Sequence, residues 1–193
     1  MTDAELVARA LAGDRDAFAA LYGRYHAIVY RFARMMSGSH TVAEDVTQET
    51  FVALMRDLPR YDPGRAALAT YLYGVARNVT RARLRRERRF VGLESGEEAG
   101  YPVDADPAME MTASEVRQAV RRAIFDLPSR YREAVILCAI HGLSYHEAAV
   151  VLGVPVGTVR SRLSRGKRAM AIQLRKAEQT PARVARPIAR CAV

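Results

Sequence analysis

The stretch SYHEAAVVLGVPVGTVRSRLSRGKRAM, from Ser144 to Met170, gathers the side chains of this chain best suited to reading a polyanion. At about 100° per residue, a helix over its second half sets Thr158, Ser161, Arg165 and Arg168 on one side, with Gly157 and Ser164 beside them. Hydroxyls there can meet base edges or phosphates, and an Arg fork matches the paired acceptors of a guanine. That side holds no acid, whereas a merely solvated helix face mixes Glu with Lys at i,i+4 spacing. Val156, Val159, Leu163 and Met170 form a narrow apolar stripe opposite, flanked by Arg160, Arg162 and Lys167. Ser144 followed by Glu147 is a capping box, Gly153 suits a left-handed helix end, and Pro155 suits the first turn of the next helix. A short helix, a Gly turn and a basic second helix make a helix-turn-helix able to enter a major groove. A plain αα-hairpin has the same turn pattern; the acid-free face argues against it.

Two further stretches carry chemistry. In TVAEDVTQETFVALMRDL a helical wheel centres the core face on Val42, Val46, Ala53 and Leu54 and extends it to Leu58. The other side holds Glu44, Asp45, Gln48 and Glu49, with Val52 and Met55 exposed beside them. Such a surface repels DNA and suits a protein partner, apolar anchors within a charged rim. Acids favoured by the N-terminal end of a helix dipole are the competing reading. Next, LPRYDPGRAA is a turn cluster bearing Tyr61, Asp62 and Arg65, and a helix follows from about Ala67 to Arg89. It turns Leu68, Leu72, Val75 and Val79 inward and Thr70, Tyr73, Arg77 and Arg81 outward, with Tyr71 and Asn78 at the shoulder. Rings stack on unpaired bases while guanidinium groups hold phosphates. Against that, the tyrosines could finish a core edge and the run RARLRRERR could serve the helix dipole.

The remaining elements position these three. Thr2 with Glu5 is a capping box for a first short helix ended by Gly13, and Asp14 can cap a second. In that second helix Phe18, Leu21, Tyr22, Tyr25, Ile28, Val29 and Phe32 make a wide core stripe. SGS at 37–39 breaks it, and Thr41 with Glu44 is expected to open the next. Periodicity vanishes from Phe90 to about Ala108, where Gly, Pro and acids mark a flexible linker. Val116, Val120, Ala123, Ile124 and Leu127 then form a core stripe, and Ser129 is the expected cap of the apolar helix RYREAVILCAI. The Pro- and Arg-rich tail after Ala177 reads as disordered.

At 193 residues the chain holds one domain or two small ones, and its net charge of +9, mostly from Arg, points to a polyanionic partner. No apolar run approaches the roughly 18 residues that would span a bilayer, and MTDAELVARA lacks a signal peptide's regions, so no membrane insertion is expected. Cys138 and Cys191 resemble neither a disulfide framework nor a zinc site, which makes a reducing cytoplasm the simplest home. His26, His40, His141 and His146 are scattered, and no phosphate loop, nucleophile elbow or segregated acid pair occurs. No catalytic residue, metal or cofactor is expected.

LPSRYREAVILCAIHGLSYHEAAVVLGVPVGTVRSRLSRGKRAM closely resembles the C-terminal DNA-binding domain of extracytoplasmic-function sigma factors, a branch of the sigma-70 family. AEDVTQETF is similar to the sigma segment that grips the β′ clamp of RNA polymerase. YDPGRAALATYLYGVARNVTRARLRR resembles the segments of sigma domain 2 that melt and read the minus-ten element, with Tyr71 where the family usually has Trp. The resemblance implies an all-α chain of two small helical domains joined by a flexible linker. Region 2 would span 1–89, the linker 90–108, the region 4 helix-turn-helix 109–177, and a basic tail 178–193. It implies three contacts. Glu44, Asp45, Gln48, Glu49, Val52 and Met55 would dock on core polymerase, whose β′ clamp and β subunit are the partners. At a minus-thirty-five element Ser161, Ser164 and Arg165 would meet base edges with Thr158 nearby, and Arg160, Arg162 and Arg168 would touch phosphates. Tyr61, Asp62, Arg65, Tyr71, Tyr73, Arg77, Asn78 and Arg81 would capture unpaired bases. Family members commonly also have an anti-sigma partner, and the linker's acids could occupy a nucleic-acid channel, although plain solvation suits its composition. A stand-alone helix-turn-helix regulator would instead bind duplex DNA as a dimer, leaving the acidic face and the Tyr/Arg face without a role.

Overall fold

The computed structural model describes the backbone of residues 1–90 and 111–179, with side-chain surroundings for 1–87 and 116–175. The expectations placed on the linker, the tail and Cys191 lie outside those residues. Eight α-helices run in order among the described residues: α1 (Asp3–Leu11), α2 (Arg15–Ser37), α3 (His40–Asp57), α4 (Leu68–Phe90), α5 (Met111–Phe125), α6 (Ser129–Val135), α7 (Tyr145–Leu152) and α8 (Val156–Gln179). None is long and apolar enough to cross a membrane.

The starts and stops follow local chemistry. The Thr2–Glu5 box opens α1, and Asp14 Oδ1 accepts from the backbone N–H of Asp16 and Ala17 to open α2. Gly38, at φ +76°, closes α2. Two expected caps and one expected helix start differ. Ser39, not Thr41, caps α3 by accepting from the Val42 N–H, because Glu44 is drawn instead to His40 Nε2 at 3.3 Å. Pro128, not Ser129, precedes α6, its carbonyl taking the N–H of Tyr131 and Arg132 at 2.8 and 3.0 Å. Pro155 sits just before α8, and its carbonyl accepts from Thr158 and Val159 at 2.9 and 3.2 Å. One wide π turn over Ile136–Ile140 continues α6 and ends at Gly142, φ +71°.

Helices α1 to α4 bury Leu6, Leu21, Val29, Phe32, Val46, Leu54 and Leu72 in one core. The α3 face centres on Ala43, Val46, Phe51 and Leu54, so Val42 and Ala53 lie at its edge. Leu127, Ile136, Leu137, Leu152 and Val159 form the core of the second half. Val116, expected there, is 66% exposed, while Phe125 is buried. Helices α6 and α8 cross at Gly166, where a Cβ would come 2.7 Å from Val135 Cγ2.

The two halves pack on each other along α4. Tyr73 and Thr70, expected to face outward, are buried, and only 11% of the Arg77 side chain is exposed. The wheel failed here because α4 is covered on two sides, by α2 and α3 and by α7, so it has no single polar face. The Tyr73 hydroxyl bonds His141 Nδ1 at 2.8 Å beside Phe32. Arg77 Nε lies 3.1 Å from Glu133 Oε1, and Arg81 Nε 3.8 Å from the same oxygen. Arg132 donates to the carbonyls of Met36, Phe125 and Leu127 and stacks over the Phe125 ring. Gly38 makes room for that ring: a Cβ there would lie 2.6 Å from Phe125 Cε2.

Burial pushes the His141 imidazole down to about 4, and the nearby Arg31 charge acts in the same direction. An opened chain would bind the proton near its ordinary pKa of 6.5, the packed chain only near 4. Stability of the packing should therefore be complete above the ordinary value and decline as pH falls toward the lower one. The urea midpoint is expected to drop between about pH 7.5 and about pH 5 and to drop less in His141→Gln. Separately, Gly166→Ala should cost about 1–3 kcal/mol by overpacking the α6–α8 crossing, read as a lower urea midpoint at unchanged slope.

Candidate nucleic-acid interface

The helix-turn-helix is assembled as its sequence dictates. Ser144 and Glu147 exchange backbone bonds at 3.2 and 2.8 Å at the start of α7. Gly153 turns left-handed at φ +64°, and α8 leaves at once. Val159 and Leu163 anchor α8 to the core, with Val156 and Met170 at its margin. On the far side Ser161, Ser164, Arg165 and Arg168 are exposed and Thr158 is half-buried.

The polar groups on that side are partly preorganised. Ser161 Oγ donates to the Thr158 carbonyl at 2.9 Å, which leaves its oxygen free to accept. Arg165 lies against the Tyr131 hydroxyl, and together with Arg130 it holds that phenol below its ordinary pKa. Arg160 stacks on Tyr145 of α7, 5.5 Å from the ring centre. Arg162 is half-buried beside the stripe. The α6 residue Tyr131 is a supporting contact that sequence reading missed; its place in LPSRYREAVIL says only that it lies near the core.

On α3, Val52 and Met55 stand 65% and 60% exposed, side by side with exposed Gln48, Glu49 and Glu44. The rim is less bare than expected. Arg83 reaches back from α4 to Asp45 at 2.7 Å and Glu49 at 2.8 Å, and Glu44 pairs with His40. Part of the acidic charge is thereby neutralised, which sharpens the apolar pair at its centre.

The eight residues expected to face unpaired bases divide. Tyr61 and Tyr71 come together, ring centres 5.4 Å apart, and burial raises the pKa of both phenols. Tyr61 is fixed by a 3.0 Å bond to the Ala66 carbonyl, and Asp62 Oδ1 takes the Gly64 N–H at 2.8 Å to shape the loop. Asp62, Arg65, Asn78 and Arg81 are exposed. Tyr73 and Arg77 are not brought to that surface; both sit in the seam between the halves, where Arg77 also approaches the Val151 carbonyl at 3.4 Å. Arg132, Glu133 and His141, the partners of that seam, were not anticipated. Their signal was an Arg–Glu pair inside the otherwise apolar run RYREAVILCAI.

Known proteins match this geometry. The family model "Sigma-70 region 2" matches residues 21–90, and "Sigma-70, region 4" matches 117–170. The chain is 38% identical over 151 residues to the ECF RNA polymerase sigma factor SigE of Mycolicibacterium smegmatis, covering 77% of this chain and 58% of that relative. It is 33% identical over 173 residues to the ECF RNA polymerase sigma factor SigW of Bacillus subtilis, covering 84% and 91%. Among solved structures, the sigma factor RpoE of Bartonella quintana, in complex with the anti-sigma factor NepR, superposes with a TM-score of 0.67 at 26% identity. That match covers 82% of this chain and 96% of the other. With both regions in family order and relatives above 30% identity along most of the chain, the protein belongs to the extracytoplasmic-function sigma factors of the sigma-70 family.

Proposed function

We propose that this protein binds core RNA polymerase in the cytoplasm and directs it to promoters by reading DNA at two points, without catalysing a reaction itself. The observation that carries the reading is the acid-free, exposed face of α8, held outward by a capped helix-turn-helix. Residues 109–177 act as the module that lies on duplex DNA at a minus-thirty-five element. Ser161, Ser164 and Arg165 meet base edges, Thr158 is nearby, and Arg160, Arg162 and Arg168 hold phosphates. Residues 1–89 act as the polymerase-binding and strand-capturing module, with 90–108 as tether. Val52 and Met55 insert into the β′ clamp within a rim formed by Glu44, Asp45, Gln48 and Glu49. Tyr61 and Tyr71 stack on bases of the opened minus-ten strand while Asp62, Arg65, Asn78 and Arg81 contact its edges and phosphates. Tyr73 and Arg77 join them once the halves separate. The complexes of related sigma factors with anti-sigma proteins support an anti-sigma partner here as well.

A stand-alone duplex-binding regulator would leave the exposed Val52 and Met55 without a role. Run-off transcription with core polymerase separates the two: stimulation confined to selected promoters is expected, and duplex binding without stimulation would reject the sigma reading. Arg165→Ala should cost roughly 1–3 kcal/mol at a matching promoter and little at mismatched ones, measured by duplex titration. Val52→Asp with Met55→Asp should weaken co-elution with core polymerase and leave duplex affinity unchanged.

A further inference from the structure

The polar surface of α8 continues onto α6. At Gly166 the α8 backbone lies against α6, where a Cβ would come 3.4 Å from the Tyr131 carbonyl oxygen and 3.5 Å from Tyr131 Cβ. That close approach sets the Tyr131 phenol beside the exposed guanidinium of Arg165, one position earlier on α8. Arg130, also exposed, sits over the same ring, its Cζ 4.9 Å from the ring centre. Two guanidinium groups, from two different helices, thus converge on one hydroxyl at the edge of the acid-free face. Neither of them is ion-paired with a carboxylate among the described residues.

The donor inventory decides what such a cluster can hold. An Arg side chain offers donors only, so the phenol oxygen accepts from both guanidinium groups and its own hydrogen is left to donate outward. The Arg165 hydrogen bond, followed by that of Arg130, holds the phenol below its ordinary pKa, which makes its O–H a stronger donor. The two cations repel each other, and an anion at the outward hydrogen relieves that repulsion. An acceptor with several charged oxygens answers the phenol and the Arg130 fork together.

We infer that Arg130 and the Tyr131 hydroxyl form a binding site for one phosphate of the duplex backbone, a DNA contact made by α6 next to the base edge that Arg165 reads. This rests on the reading of α8 as the helix that enters the groove. The cluster divides its work: Arg165 turns to the base, while Arg130 and Tyr131 clasp the strand and fix the register of α8 without reading sequence. A Tyr131 that serves only as a brace for Arg165 has the same contacts but a different consequence, since its loss would weaken selectivity and not general affinity.

The test titrates full-length protein with two labelled duplexes, one selected by the protein from a random pool and one scrambled to equal composition. Arg130→Ala should weaken both by the same factor and lower the slope of log affinity against log salt by about 0.9, the signature of one lost phosphate contact. Tyr131→Phe, which keeps the ring and removes the hydroxyl, should weaken both about fivefold with the slope unchanged. An unaltered slope in Arg130→Ala overturns the inference. So does a Tyr131→Phe that loses affinity for the selected duplex alone, which would reduce Tyr131 to a brace. Failure of the underlying reading looks different: Arg165→Ala would then discriminate between the two duplexes as well as wild type does, whatever Arg130→Ala does to the slope.

Discussion

A polar seam between two helical halves governs the rest of this structure. Arg77 and Glu133 are buried together, Tyr73 and His141 share a hydrogen bond, and Arg132 reaches the carbonyls that end α2 and α5. Such a seam brings little net stability, because the desolvation of each charge offsets much of the attraction. It brings instead a defined registration: only one placement of α6 and α7 on α4 satisfies these partners. Interfaces between domains of one chain are generally more polar than permanent ones, and motion across them is the default. Apolar side chains gather on either side of it, around Phe32 and Leu72 and around Leu137 and Val159.

Most of the helices were legible in the sequence because their signals are local. Thr2, Asp14, Ser144 and Gly153 act through bonds within four residues, and each does what its type and position imply. The misplaced caps have local causes too. At Thr41 the expected partner Glu44 had a competing side chain, His40, one turn back, and at Ser129 the preceding Pro128 carbonyl took the capping role. Burial faces were legible where a helix has one buried side, as in α8 and in α2, although Tyr22, expected in the α2 core stripe, is 39% exposed at its edge. They were misread on α4, since a wheel assigns one inside and one outside and this helix has two insides. The partners of Tyr73 and Arg77 lie 68 and 56 positions away, and no periodicity within α4 announces them.

The three candidate surfaces were legible to different degrees for the same reason. The α8 face depends on its own spacing and one turn, so Ser161, Ser164 and Arg165 emerge as read. The α3 face was correct in its exposed apolar pair, yet its charge was overstated, since Arg83 folds back from the basic run to Asp45 and Glu49. Exposure of the residues expected to face unpaired bases depends on how the halves sit, and only Tyr61, Tyr71, Asp62, Arg65, Asn78 and Arg81 reach an accessible surface, wholly or in part.

The missing side chain at Gly166 sets the aim of the whole module. There the backbone of α8 rests almost directly on Val135, making that point the pivot of a lever whose other arm ends at Thr158. Eight residues of helix carry the tip about 12 Å away, so any thickening at the pivot swings the far end through a wider arc than the fulcrum itself moves. The angle at which α8 leaves the core is therefore decided by an atom the chain leaves out, one position from the exposed Arg165.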